Sequence, residues 1–200
     1  MKNNKIMLGI AAVAIVAVLL VAFNMMNNST ETNSDTAMNN DNTMMSEDDS
    51  QGVMVGGALM TPDKDIVDNA VGSQDHTTLV AAVQAAGLVE TLKGSGPFTV
   101  FAPTNSAFEQ LPANTVDTLL MPENKDDLTG VLTYHVVPGA YRSTDLTDGM
   151  TLTTVQGQQL TFTMKDGAWY VNDTAMIEIA DVISSNGVTH VIDSVLVPTE

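Results

Sequence analysis

The sequence predicts an α+β domain behind an amino-terminal extension, and three observations predict it. Apolar residues recur at helical spacing through most of 61–134, they recur at alternate positions from 151 onward, and the first 55 residues carry no pattern able to bury a core. Helices followed by a strand meander is the α+β order. Two hundred residues suit one ordinary domain plus a tail.

Taken in order, Thr61 and Pro62 have N-cap and N1 chemistry, and Ile66, Val67, Ala70 and Val71 then share one helical stripe. A second helix starts near Asp75, buries Leu79, Val80, Ala82, Val83 and Ala86, and stops at Gly87. A short third helix covers 88–92 and ends at Gly94. The segment GPFTVFAPTNSAF at 96–108 alternates Phe98, Val100 and Ala102 with Thr99, Phe101 and Pro103, a strand buried on one or both faces. It runs into Thr104 and Asn105, both N-cap residue types, with Ser106 and Glu109 at capping-box spacing. Short helices come next at 106–111 and 115–120. A longer one spans 123–134, where Leu128, Val131, Leu132 and His135 fall on one face.

From 151 the period changes. Alternating strands are joined at Gln156-Gly157 and at Asp166-Gly167, the latter a two-residue hairpin signal. MIEIADVI alternates next, Asn186-Gly187 supplies a tight turn, and VTHVID places Val188, His190 and Ile192 on one side of a strand. A last apolar strand is expected at 195–197, stopped by Pro198.

Composition excludes several classes of function. With 24 acidic residues against 7 basic ones, the chain carries a net charge of −17 and lacks the Lys and Arg that neutralise phosphates, so neither nucleic acid nor an anionic lipid surface is an expected partner. The absence of cysteine removes disulfides, thiol catalysis and thiolate metal sites together. Aromatics are only 4% of the residues, so the core must be built from Val, Leu, Ile, Ala and Met.

The extension has two parts. Lys2 and Lys5 precede an uncharged, mostly apolar run at 6–23, long enough as a helix to cross a bilayer core and lacking a small-residue cleavage site after it. It reads as an uncleaved membrane anchor, with a cleaved signal peptide as the alternative, and either one exports the rest of the chain. Residues 24–55 are rich in Asn, Ser, Thr, Met and acid, with no hydrophobic period, and read as a disordered tether. Their methionines lack the tight spacing of a Cu(I) site, so no metal or other cofactor is expected. Residues 56–200 are the expected domain.

Two blocks, GPFTVFAPTNSAF at 96–108 and SNGVTHVIDSVLVP at 185–198, with YHVVPG at 134–139 between them, resemble the signature blocks and the Tyr-His motif of the fasciclin-like (FAS1, beta-Ig-H3) domain family, in family order. The resemblance covers roughly 55–200 and is similar at its front to a bacterial single-domain member. It implies a wedge-shaped antiparallel β-sandwich with helices along one flank. It also implies that Tyr134 and His135 belong to a motif linked to receptor binding, and that Asp181 and Val182 stand where animal relatives carry an Asp-Ile pair implicated in integrin binding. Thr104, Asn105, Phe108, Asn186, Gly187 and His190 are the structural residues of the blocks.

The residues themselves favour plainer roles. A lone His closing an apolar stripe is most often an internal hydrogen-bond partner, which is the expectation for His135 and His190. Asp181 is an ordinary acid at a strand end. No G-x-S-x-G elbow, P-loop, dinucleotide-binding glycine pattern or H-E-x-x-H metal motif is present, so no catalytic residue is expected. The function expected is adhesion or protein-protein association by an exported, surface-exposed module. Its partner is an unidentified protein or an envelope or matrix component, met through exposed surface around Asp181, Val182 and Asn186-Gly187, and it meets the membrane through the amino-terminal segment only. The alternative is an extracytoplasmic binder of a small lipid or saccharide. A cavity lined by Met and Leu with a few convergent polar groups would mark the second, a solid core with an exposed apolar patch the first.

Overall fold

The computed structural model describes residues 51–198. The expected anchor at 1–23 and nearly all of the expected tether lie outside the described residues. No helix among the described residues is long and apolar enough to cross a membrane.

The fold opens with a hairpin of β1 (Val53–Val55) and β2 (Ala58–Met60), turned by Gly56 and Gly57 at positive φ. Val55 and Met60 are buried against Val182 and Val191. The first described strand, β1, therefore lies inside 24–55, the stretch read as tether. Three residues are too short to register as a strand pattern, and the Met-rich composition continues unbroken into them.

Helices come next. The first, α1 (Ile66–Gly72), is capped by Asp65, whose carboxylate accepts from the Asp68 N–H, so the helix starts later than Thr61-Pro62 suggests. Its stripe is also rotated. Val71 is exposed and Asn69 is buried instead, because the Asn69 amide donates to Thr61 O and Ser184 Oγ. A 3-10 turn at Gln74–His76 leads into α2 (Thr77–Ala86), which ends at Gly87 in the left-handed region as expected. Then come α3 (Val89–Leu92), strand β3 (Phe98–Pro103), α4 (Asn105–Glu109), α5 (Thr115–Leu119) and, after a 3-10 turn at Pro122–Asn124, α6 (Lys125–Tyr134).

The remaining strands are β4 (Val136–Pro138), β5 (Thr151–Thr153), β6 (Gln159–Lys165), β7 (Ala168–Val171), β8 (Ala175–Ser184) and β9 (Gly187–Ile192). They join β3 in one seven-stranded sheet of order β4-β3-β9-β8-β7-β6-β5. Neighbours in this sheet pair antiparallel except β3 and β9, which run parallel, so the sheet is mixed rather than wholly antiparallel. The hairpin from β8 fixes the direction of β9, and the long helical and meander connection from β3 lets a parallel neighbour form. The sheet's two outer strands approach each other, since the Val155 N–H donates to Val136 O at 2.7 Å.

Alternation along β3 divides the interior. Val100 and Ala102 pack with Leu79, Val83, Leu128 and Leu132 of the helices. Phe101 points the other way, toward Leu152, Leu160, Phe162 and Val171 of the meander. Its ring lies 5.5 Å from that of Phe162 and stacks at 5.6 Å on His190.

Two further expectations are corrected. Asp166-Gly167 forms its hairpin with both residues at positive φ, but the turn between β8 and β9 is Ser185-Asn186, and Gly187 already pairs with Ser184. A Cβ on Gly187 would meet Phe98 O at 2.0 Å, so the glycine serves a close strand approach rather than the turn. Residues 195–197 form no strand, because the Leu196 N–H is spent on a side chain.

Candidate functional site

Tyr134 and His135 end α6, and both side chains are only 3% exposed. The His135 ring is held at both nitrogens. Nε2 accepts from the Leu196 N–H at 2.9 Å, which places the proton on Nδ1, donating to Val131 O at 2.8 Å. Burial disfavours the charged form and lowers the pKa to about 4, so the ring stays neutral. The Tyr134 hydroxyl donates to Gln159 O and accepts from Asn172 Nδ2 at 2.8 Å. The pair thus stitches the end of α6 to the carboxy-terminal segment on one side and to the meander on the other.

Asp181 and Val182 sit on β8, where the register with β9 shifts between Ile179 and Val182. Asp181 takes φ +59, a left-handed conformation an aspartate adopts more readily than most residues. Its carboxylate accepts from the Ser143 N–H at 2.7 Å and from the Ser143 hydroxyl, and its own N–H donates to His190 Nδ1. His190 therefore carries its proton on Nε2 and donates to Tyr141 O at 2.9 Å; burial lowers its pKa, with the Tyr141 carbonyl and the Asp181 charge acting the other way. Val182 is 0% exposed and packs under the β1–β2 hairpin. Of the expected pair, Val182 is withdrawn from the surface, because the bulge that turns Asp181 toward Ser143 sends it into the core, while Asp181 stays half-buried and Ser185, in the turn that follows, is exposed.

The residues of the two blocks are tie points. Thr104 caps α4 by accepting from the Ala107 N–H, and it contacts the Ser106 hydroxyl in place of the expected Ser106–Glu109 capping box. Asn105 caps a different helix. Its Oδ1 accepts from the Thr78 N–H and Thr77 hydroxyl at the start of α2, and its Nδ2 donates to Gln74 O. Phe108 packs half-buried on the helical core. Asn186, buried, accepts from the Ile66 N–H and donates to Leu92 O and Gly94 O, bracketing α1 and α3 against the β8–β9 turn. His76, not singled out by its sequence context, is equally buried and its Nδ1 pairs with the Ser73 hydroxyl.

Exposed apolar surface lies elsewhere. Met54 and Leu59 are direct cross-strand partners on the β1–β2 hairpin, and they are 60% and 47% exposed. Sequence reading missed them because the hairpin itself was illegible. Among the described residues no three His, Asp or Glu side chains converge as a metal-ligand set.

The fasciclin domain family model matches residues 74–198. Protein sll1483 of a Synechocystis strain is 55% identical over 133 residues, which are 66% of this chain and 73% of that protein. The transforming growth factor-beta-induced protein ig-h3 of Sus scrofa is 39% identical over 70% of this chain but only 20% of its own length. In structure, the chain resembles the FAS1 domain pair of the insect cell adhesion molecule fasciclin I, with a TM-score of 0.61 and 17% identity over 70% of this chain and 53% of that one. That likeness shows the α+β FAS1 fold.

Proposed function

The chain belongs to the fasciclin domain family, and from that premise we propose that it is a non-enzymatic interaction module that mediates adhesion or surface association with a protein or envelope or matrix component. The observation that carries the reading is the exposed Met54–Leu59 pair on the β1–β2 hairpin, which offers apolar contact area where the family's motif residues offer none. Tyr134, His135 and Val182 are enclosed, and the side-chain polar atoms of the first two are committed to internal hydrogen bonds. Their part in recognition is to hold the surface in shape.

The solved relative is a cell adhesion molecule, which supports the class of activity. The apolar run at 6–23 supports placement outside the cytoplasm, tethered or secreted. A strongly acidic chain meets a basic or neutral partner more readily than an acidic one, and its association rate falls as salt rises. The test is cross-linking of the full chain to its native envelope with a photoreactive group at position 54 or 59. Adducts are expected from these positions and not from a probe at exposed Val155, in the turn after β5; adducts of equal yield from all three would contradict the reading.

A further inference from the structure

An apolar cavity of about 190 Å³ lies between α1, α2, α3 and β3, lined by Val67, Leu79, Val83, Leu92, Val100 and Leu132 among others. Interiors pack to crystal-like density, and voids larger than a water are few. An apolar void of roughly 150 Å³ stays dry and admits benzene. The cavity here is of that order and opens to solvent beside the exposed Asp68, Val71 and Gln84.

The inner lining carries no free polar atom. His135 reaches the wall, but both of its ring nitrogens are engaged by Val131 O and the Leu196 N–H, so it presents only carbon. Polar groups appear at the rim, where Asp68, Gln84 and Lys93 stand. The Lys93 ammonium is already paired with Asp65 at 2.9 Å and with Asp68, so the rim holds no uncompensated positive charge. In a chain of net charge −17 an anionic head group is disfavoured there.

From this geometry we infer that the cavity is a binding site for a small neutral amphiphile: a short hydrocarbon chain or single ring inside, with a hydroxyl or carbonyl at the Asp68–Gln84–Lys93 rim. The hydrocarbon replaces void with contact, and the polar end keeps its hydrogen bonds. The site is independent of the Met54–Leu59 surface.

The probes are 1-octanol, octanoate and glucose, added to the full chain while its melting temperature and methyl NMR spectrum are followed. Octanol is expected to raise the melting temperature saturably and to shift the Val83, Val100 and Leu132 methyls; octanoate binds more weakly and glucose does neither. Val80, half-buried on the wall, gives the filling variant Val80→Phe. It should weaken octanol binding by roughly tenfold or more. If Val80→Phe fails to fold, the methyl shifts in the unaltered chain decide alone. Octanol shifts confined to other methyls, no saturable binding, or equal binding by a folded Val80→Phe would overturn the inference.

Discussion

The Leu196 N–H donates to His135 Nε2 across 61 residues of sequence, and this bond ties the end of α6 to the carboxy-terminal segment. It turns the histidine of the Tyr-His motif into a structural joint. Replacing His135 with Ala removes a buried ring and leaves the Leu196 N–H and Val131 O without that partner. The expected cost is about 3 kcal/mol or more, summed from a cavity and an unsatisfied buried donor. Denaturant unfolding of the variant measures it, and a change below ~1 kcal/mol would show that the joint is slack.

The same burial makes stability depend on pH. His135 has a folded pKa of about 4 against an ordinary value near 6.5, so the unfolded chain binds its proton first as pH falls. The stabilising contribution is fully present above the unfolded pKa and is lost as pH drops toward about 4. His76 and His190 are shifted in the same direction, chiefly by burial, and add to the slope. Over that window His135 alone accounts for on the order of 3 kcal/mol. Unfolding free energy measured from pH 7 to pH 4.5 should fall, and His135→Gln should fall less steeply. Parallel slopes for the two proteins would remove His135 from the effect.

Asn186 and Asn105 are predicted to differ. Asn186→Ala strands the Ile66 N–H, Leu92 O and Gly94 O in a buried bracket, whereas Asn105→Ala uncaps a helix start that water can reach. Expected losses are about 3 kcal/mol for the first and about 1 kcal/mol for the second. Equal losses in thermal unfolding would show that the two amides do comparable work.

The amino-terminal boundary is testable by truncation. Starting the chain at Gly56 deletes β1 and with it the buried Val55, so it should destabilise the domain by about 2 kcal/mol relative to a chain starting at Met44. Identical unfolding midpoints would return β1 to the tether.

Much of the fold is legible in the sequence because local signals and tertiary demands agree. Gly87 stops α2, Thr104 caps α4, and Asp166-Gly167 turns a hairpin with both residues at positive φ. Where they diverge, the reading fails for identifiable reasons. Strands β1, β2 and β4 are three residues each, too short for period two to show. Asn105 has N-cap chemistry but spends it on α2, a partner set by tertiary contact and not by position in the chain. Asp181 breaks the alternation of β8 at a bulge, which buries Val182 where strict alternation gives no such signal. The parallel β3–β9 pairing has no local signal, since it joins strands about ninety residues apart in the chain.

On the proposed function, the motif residues shape the domain while the β1–β2 hairpin makes the contact. The most direct measurement compares the affinity of three full-length proteins for the native envelope fraction: the unaltered chain, Met54→Ser with Leu59→Ser, and Tyr134→Phe. The double variant is expected to keep its melting temperature within a few degrees and to lose about tenfold or more in affinity, since surface substitutions rarely unfold a protein while loss of apolar contact weakens association. Tyr134→Phe is expected to lower the melting temperature by removing the hydroxyl from Gln159 O and Asn172, and to bind as the unaltered chain does below that temperature. Unchanged affinity in the double variant together with lost affinity in a folded Tyr134→Phe would contradict the account.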